Sequence, residues 1–144
     1  MTASLHLLRT AVQIPDMHRL HEVQKNHQIA TNEGVTVVAT TRRMPQRWEQ
    51  LLDGGSIYWI IKHRIACRQE IRDIQQKDDK AGGSYCQFLL NPQIIKVHPR
   101  PKRAFQGWRY LEGWDAPKDI GPFNPDEDGM PEEMEKKLRD LGVL

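Results

Sequence analysis

The strongest constraint on the fold is a strand pattern that runs from Ser56 to Ile74. Ser56 to Ile61 (SIYWII) is an unbroken apolar run, which is typical of a buried strand. From Arg64 to Ile74 polar and apolar residues alternate, so this stretch predicts a second strand with one buried face. The residues on that face are Ile65, Cys67, Gln69 and Ile71. Two such neighbouring strands require a sheet that covers a core.

Shorter patterns predict the remaining elements. Asp16 is a suitable N-cap for a helix that begins at Met17 and whose imperfect apolar stripe reaches Ile29. Pro45 suits the first turn of a short helix over Gln46 to Leu52. Further strands are predicted at Leu5 to Arg9, Val35 to Thr41, Tyr85 to Leu90, Ile94 to Val97 and Phe105 to Leu111.

Glycine, proline and polar runs mark where these elements end. Gly54 and Gly55 end the short helix, and we expect a positive φ in at least one of them. Residues 75–83 (QQKDDKAGG) predict the polar tip of a hairpin. Pro99 and Pro101 exclude a central strand at their positions.

Together these predicted elements indicate an α+β protein with a curved, mainly antiparallel sheet or a partial β-barrel and two or three flanking helices. Its 144 residues fit a single domain, which we place at residues 1–120. Residues 121–144 are predicted to be an acidic, proline-rich C-terminal extension that ends in a short helix from Pro131.

Composition and cysteine spacing indicate the cellular compartment of the chain and the classes of protein to which it does not belong. No apolar run approaches the roughly 20 residues of a membrane span, and the N-terminus lacks the apolar core of a signal peptide. Cys67 and Cys86 lie far apart with no metal-ligand spacing. The expectation is therefore a cytoplasmic protein with reduced thiols, no metal site and no cofactor.

The net charge of +2 hides an uneven distribution. Arg42 to Arg72 carries seven bases against three acids, and Lys96 to Arg109 carries five bases and no acid. Residues 115–135 reverse the sign, with eight acids against Lys118. A basic body of this kind can recruit an anionic partner while the acidic segment restrains non-specific binding. Alternatively, that segment simply lies on the chain's own basic surface or extends freely into solvent.

Arginines and aromatic residues alternate in two segments, and this pairing suits phosphate contacts and base stacking. We expect Trp108 to be buried and Arg109 exposed, so that charge supplies most of the affinity. The predicted nucleic-acid-binding residues are Arg42, Arg43, Arg47, Tyr58, Lys62, Arg68, Arg100, Lys102, Arg103, Trp108 and Arg109, with Tyr58 or Trp108 as the stacking platform. RNA is the leading partner, and its binding should weaken steeply with salt.

Two other functions stay open at this point. A small hydrolase or transferase could use Lys62, Arg68 and Glu70 on a polar substrate. A protein–protein adaptor could use the acidic C-terminal segment. His18 and His21 have helical spacing suited to a metal, but no nearby ligand completes the set.

Two sequence blocks carry a resemblance to a known family. LLDGGSIYWIIK (Leu51 to Lys62) and AFQGWRYL (Ala104 to Leu111), followed by Asp115-Ala116-Pro117, resemble an uncharacterised family of short bacterial proteins. The family has no assigned activity, so the resemblance implies no reaction. The family tends to have glycine after the lysine, whereas this chain has His63, which argues against a tight turn there. The order of elements also shows a weaker similarity to PUA and ASCH-like barrels, which mostly bind RNA.

Overall fold

The structure is a computed structural model that describes residues 3–128. Nine strands dominate it, with one eight-residue helix, one four-residue helix and short 3-10 turns at Lys25–His27 and Gly113–Asp115. The helices are α1 (Met17–Gln24) and α2 (Trp48–Leu51). The strands are β1 (Leu5–Thr10), β2 (Gln28–Thr31), β3 (Gly34–Thr41), β4 (Ser56–Ile61), β5 (Arg64–Asp78), β6 (Ser84–Leu90), β7 (Ile95–Pro101), β8 (Trp108–Glu112) and β9 (Asp119–Pro122).

The long strand β5 organises the sheet. Its first part pairs with β4 on one side and β7 on the other, whereas Ile71 to Asp78 pairs with β6. One arm of the sheet therefore has the order β8-β1-β4-β5-β7-β9, and the other has the order β5-β6-β3-β2. Among the paired strands of residues 3–128, only β1 and β4 run parallel. The sheet is open and mainly antiparallel, so the predicted α+β class with a curved sheet is confirmed.

The predicted pattern of β4 and β5 is confirmed residue by residue. All six residues of β4 are buried, and β5 alternates with Ile65, Cys67, Gln69 and Ile71 inside. Register shifts in β5 between Ile65 and Cys67 and between Ile71 and Asp73 interrupt its ladders. Bulges of this kind bend a strand, and the one between Ile71 and Asp73 occurs where β5 passes from one arm of the sheet to the other.

Several predicted boundaries are wrong, among them the strand expected at Phe105 to Leu111, which is β8 and covers Trp108–Glu112. Helix α1 ends at Gln24, and Ile29 lies in β2 opposite Thr36 because the chain turns to pair with β3. The turn expected at residues 75–83 is shorter, since β5 continues to Asp78. Its polar residues 76–78 are exposed, so they form ladder hydrogen bonds without a burial cost. Helix α2 covers only Trp48–Leu51.

Strand β7 accommodates its prolines at an edge. β7 pairs with β9 only through Ile95 to Val97, and it continues beyond this pairing to Pro101, opposite Arg64 of β5. The proline-containing part therefore has one side without a strand partner, where the missing N–H groups cost least. The strand extends further than the predicted Ile94 to Val97.

The packed body continues past the expected domain boundary at residue 120. That position falls inside β9, and Phe123 beyond it is buried in the main hydrophobic cluster with its N–H donating to the Ile94 carbonyl at 2.7 Å. The helix expected from Pro131 lies outside the described residues. No helix within residues 3–128 is long and apolar enough to cross a membrane.

A buried amide network fastens α1 to the sheet. Gln69 in β5 accepts hydrogen bonds from the Trp59 indole Nε1 at 2.9 Å and from Gln24 Nε2 at 2.7 Å. Its own Nε2 donates to Gln24 Oε1 at 2.9 Å and to the Asn91 carbonyl at 3.1 Å. Every polar atom of the Gln69 amide thus has a partner inside the core, which makes this placement of α1 specific.

Candidate anion-binding cleft

A cleft of about 900 Å³ opens between the two arms of the sheet. Four segments meet there: the end of β1, the end of β3 with the residues that follow it, the tip of the β5–β6 hairpin, and the segment before β8. We call this space the charged cleft, because three arginines and a single acid line it. The residues that matter most for its chemistry are Arg9, Arg42, Arg43, Asp79, Tyr85 and Phe105.

Arg9 is the most sheltered of the three arginines. Its guanidinium carbon lies 5.9 Å from the centre of the Trp59 ring, and burial lowers the pKa of Arg9 from its usual value. Among residues 3–128 its side chain has neither a hydrogen bond nor an ion pair. A guanidinium stays protonated even when desolvated, so Arg9 offers unused donors to an anion.

Arg43 is held in place by Trp108. Its guanidinium carbon stacks 4.1 Å from the Trp108 ring centre, and its Nη2 donates to the Trp108 carbonyl at 3.0 Å. In return the Trp108 indole donates to the Arg43 carbonyl at 2.9 Å. Trp108 is 5% exposed and Arg109 is exposed, as expected. The tryptophan therefore orients an arginine and does not serve as a platform for bases.

Arg42 reaches across the mouth of the cleft to the hairpin tip. Its Nη1 donates to Asp79 Oδ2 at 2.8 Å, although the Arg42 side chain is 79% exposed. Asp79 Oδ1 accepts from the N–H groups of Ala81 and Gly83. The Arg42 hydrogen bond first, and the Gly83 N–H next, lower the pKa of Asp79. An exposed pair of this kind is weak, so an incoming anion can replace the carboxylate on Arg42.

Aromatic side chains contribute to the wall of the charged cleft. Phe105 is half-buried, with the Arg109 guanidinium carbon 4.2 Å from its ring centre and its N–H donating to Thr10 Oγ1 at 3.2 Å. Tyr85, also half-buried, lines the cleft from β6. Gly107, with φ of 79°, turns the chain between Phe105 and Trp108. Cations and aromatic rings thus line one space.

Most of the other predicted arginines are occupied elsewhere. Arg47 donates to Glu112 at 3.1 Å and to Gln50, with its guanidinium carbon 5.3 Å from the Tyr110 ring centre. Arg68 makes two hydrogen bonds to Asp119, at 2.8 and 2.7 Å. These side chains are committed to the chain's own acids, outside the charged cleft.

The acids of the C-terminal part explain much of this pairing. Asp115 pairs with Arg100 at 3.3 Å, and Asp128 pairs with Lys96 at 2.6 Å. The Arg68 pair holds Asp119 in the same way, and its hydrogen bonds lower the pKa of that carboxyl. Within residues 3–128 the acidic segment therefore lies partly on the chain's own basic surface, which is one of the alternatives that the charge pattern leaves open.

The remaining predicted residues are placed as follows. Tyr58 is 3% exposed, with its ring edge against His6, so it offers no face for stacking. Lys102 and Arg103 follow β7 and lead toward Phe105, where Arg103 is exposed. Lys62 lies in the turn between β4 and β5 with φ of 51°.

The residues of the alternative enzyme site are spread along β5 and the turn before it. Arg68 and Glu70 lie two positions apart in β5, whereas Lys62 lies in the turn before it. Arg64, the first residue of β5 after that turn, lies roughly 13 Å along the strand from Arg68. Burial raises the pKa of the Cys67 thiol to about 12, so this cysteine is not an activated nucleophile.

No group of three or more His, Cys, Asp or Glu side chains in the described part of the chain could hold a metal ion. His18 packs edge-on against Phe123, with ring centres 4.9 Å apart.

Sequence reasoning missed Arg9, Tyr85 and Asp79. Arg9 ends an apolar strand, Tyr85 begins another, and Asp79 belongs to a polar turn, so none of them carries a local signal of binding. Their role depends on the pairing of segments far apart in the chain, which brings β1 and β6 to the same space.

The fold and the cleft define a small α+β protein whose open sheet has two arms around a basic cleft. The chain belongs to the family described as Protein of unknown function (DUF1489), which matches residues 7–144. This confirms the resemblance carried by the two sequence blocks. No curated protein and no solved structure matches the chain, so the similarity to PUA and ASCH-like barrels stays a prediction.

Proposed function

We propose that the chain binds single-stranded RNA through the charged cleft. Arg9, Arg42 and Arg43 contact phosphates, and Phe105 and Tyr85 provide faces for unstacked bases. The observation that carries the proposal is the meeting of three arginines from two separate segments around a space that contains one acid. Cations beside aromatic rings are the combination that single strands require.

The approach to the cleft extends this basic surface. Lys102 and Arg103 lie between β7 and Phe105 in the chain, so they can contact a bound RNA that extends beyond Phe105. Arg47, Arg68 and Arg100 have a different part in the proposal. They line no part of the charged cleft, so they add little to affinity.

Salt dependence tests the proposal first. For a fluorescein-labelled single-stranded RNA decamer, three phosphate contacts predict that log K falls with log salt with a slope of about −2. Fluorescence anisotropy at several salt concentrations measures this slope. A slope near zero contradicts phosphate recognition by the arginines.

A pair of variants at one ion pair then tests the location. Arg42→Gln removes a phosphate contact and should weaken binding several-fold while reducing the slope by about 0.7. Asp79→Asn removes the carboxylate that competes for Arg42 but keeps an acceptor for the Ala81 and Gly83 N–H groups. It should therefore strengthen binding.

Loss of structure cannot produce opposite effects in these two variants. Arg100→Gln is the matched control, because it removes an arginine paired with Asp115 outside the cleft and should change affinity less than twofold. Circular dichroism checks each fold. If Arg100→Gln weakens binding as much as Arg42→Gln, the basic surface as a whole is the binding determinant and the cleft is not.

A further inference from the structure

A second groove, of about 330 Å³, lies on the other side of Arg9 between α1 and the strands. We call it the helix groove. Arg9 and Thr10 border both the helix groove and the charged cleft, and so do Val12 and Thr40. The rest of the lining is mostly apolar and includes Ala11, Ile14, Val23, Val38, Ala39 and Trp59.

The polar groups in the helix groove are already committed or lie at its rim. The Gln24 amide gives its donor and its acceptor to Gln69, at 2.7 and 2.9 Å. His27 is exposed. A nucleobase would find no partners for its polar edge in such a lining, so the chemistry of the groove favours an aliphatic body over a base.

Arg9 sets the charge of the ligand. Its guanidinium is half-buried beside Trp59, and no acid among residues 3–128 pairs with it. A planar guanidinium at the end of an apolar groove matches a carboxylate, whose two oxygens can accept parallel hydrogen bonds. The ligand would compensate a charge that no acid among residues 3–128 compensates.

We propose that the helix groove binds a small aliphatic carboxylate, with the carboxylate on Arg9 and the chain between α1 and β3. The cavity holds about eleven water volumes, so a ligand of roughly ten non-hydrogen atoms fits it. This inference goes beyond RNA binding and does not depend on it. The two sites share only the border residues, and a carboxylate on Arg9 would compete with one phosphate contact.

Octanoate is the probe, and octanamide is its neutral match. Millimolar octanoate should raise the Tm of the full chain progressively with concentration, because a ligand that binds only the folded state stabilises it. Octanamide at the same concentrations should raise Tm much less. An equal response to both compounds, or no response to octanoate, overturns the proposal.

Three variants separate the two sites. Val23→Phe fills the helix groove from α1 and should abolish the octanoate shift while RNA affinity stays within twofold. Arg42→Gln should weaken RNA binding several-fold and leave the octanoate shift in Tm unchanged. Arg9→Gln should weaken octanoate binding by about tenfold and also reduce RNA affinity.

A second filling variant guards against loss of structure. If Val23→Phe unfolds, Val38→Phe on β3 replaces it with the same expected result. A folded filling variant with an unchanged octanoate shift overturns the proposal. Absence of RNA binding in the wild-type chain, with the octanoate shift intact, contradicts the RNA proposal alone.

Discussion

At the scale of single residues, β4 and β5 are joined by a tight turn, although His63 in place of glycine argues against one in the sequence. Lys62 and His63 have φ of 51° and 61°, and together they make a tight two-residue connection without glycine. Hairpin turns of this length favour positive φ because it matches the twist of the paired strands. The pairing of Ile61 with Arg64 and of Tyr58 with Arg68 outweighs the preference of these two residues for negative φ.

Gly54 and Gly55 are each required to be glycine for a different physical reason. Gly54 has φ of 81°, as expected of at least one of the pair, whereas a Cβ at Gly55 would meet the Leu51 and Leu5 carbonyl oxygens. We predict that Gly54→Ala costs about 1 kcal/mol of unfolding free energy and that Gly55→Ala costs more, since its obstacle is backbone. Urea unfolding measures both, and equal costs would contradict the assignment.

Single residues also mark where sequence reasoning stops. The positions of the arginines are visible in the sequence, but their partners are not. Arg68 and Arg100 pair with Asp119 and Asp115 because β9 and the turn after β8 fold back onto the basic surface. No acid among residues 3–128 pairs with Arg9, and nothing in its neighbourhood along the chain reveals this.

At the scale of elements, strands with a buried face were predictable and boundaries between polar segments were not. The alternation in β5 specifies its first eleven residues. Its last four, Gln75 to Asp78, are half-buried or exposed and polar, and only their pairing with β6 keeps them in a strand. Ile29 fits a helical stripe by spacing, but pairing with β3 outweighs that local preference.

The amide network at Gln69 is the contact between elements that most deserves a test. Gln69→Leu would leave the Trp59 indole and the Gln24 amide without partners in the core, and we expect a loss on the order of 3 kcal/mol in unfolding free energy. Gln76→Leu, on the exposed part of the same strand, is the control and should change stability by less than about 0.5 kcal/mol. Equal effects in urea unfolding would show that α1 does not depend on the network.

At the scale of the whole molecule, the shared strand β5 creates the candidate site. Because β5 belongs to both arms of the sheet, the ends of β1 and β3 border one cleft although β1 lies in one arm and β3 in the other. The fold class follows from strand patterns along the chain. The cleft depends on which strands pair across long separations, and a single sequence carries no direct signal of that pairing.

The most direct test of RNA binding in the charged cleft is an NMR titration of the full, ¹⁵N-labelled chain with a single-stranded RNA decamer. We expect the largest shifts on the Arg9 and Arg42 side-chain Nε–H groups and on the backbone amides of Gln106 and Gly107. These groups line the charged cleft. Shifts confined to Arg68, Arg100 and the acids that pair with them, with the cleft unchanged, would contradict RNA binding in the cleft.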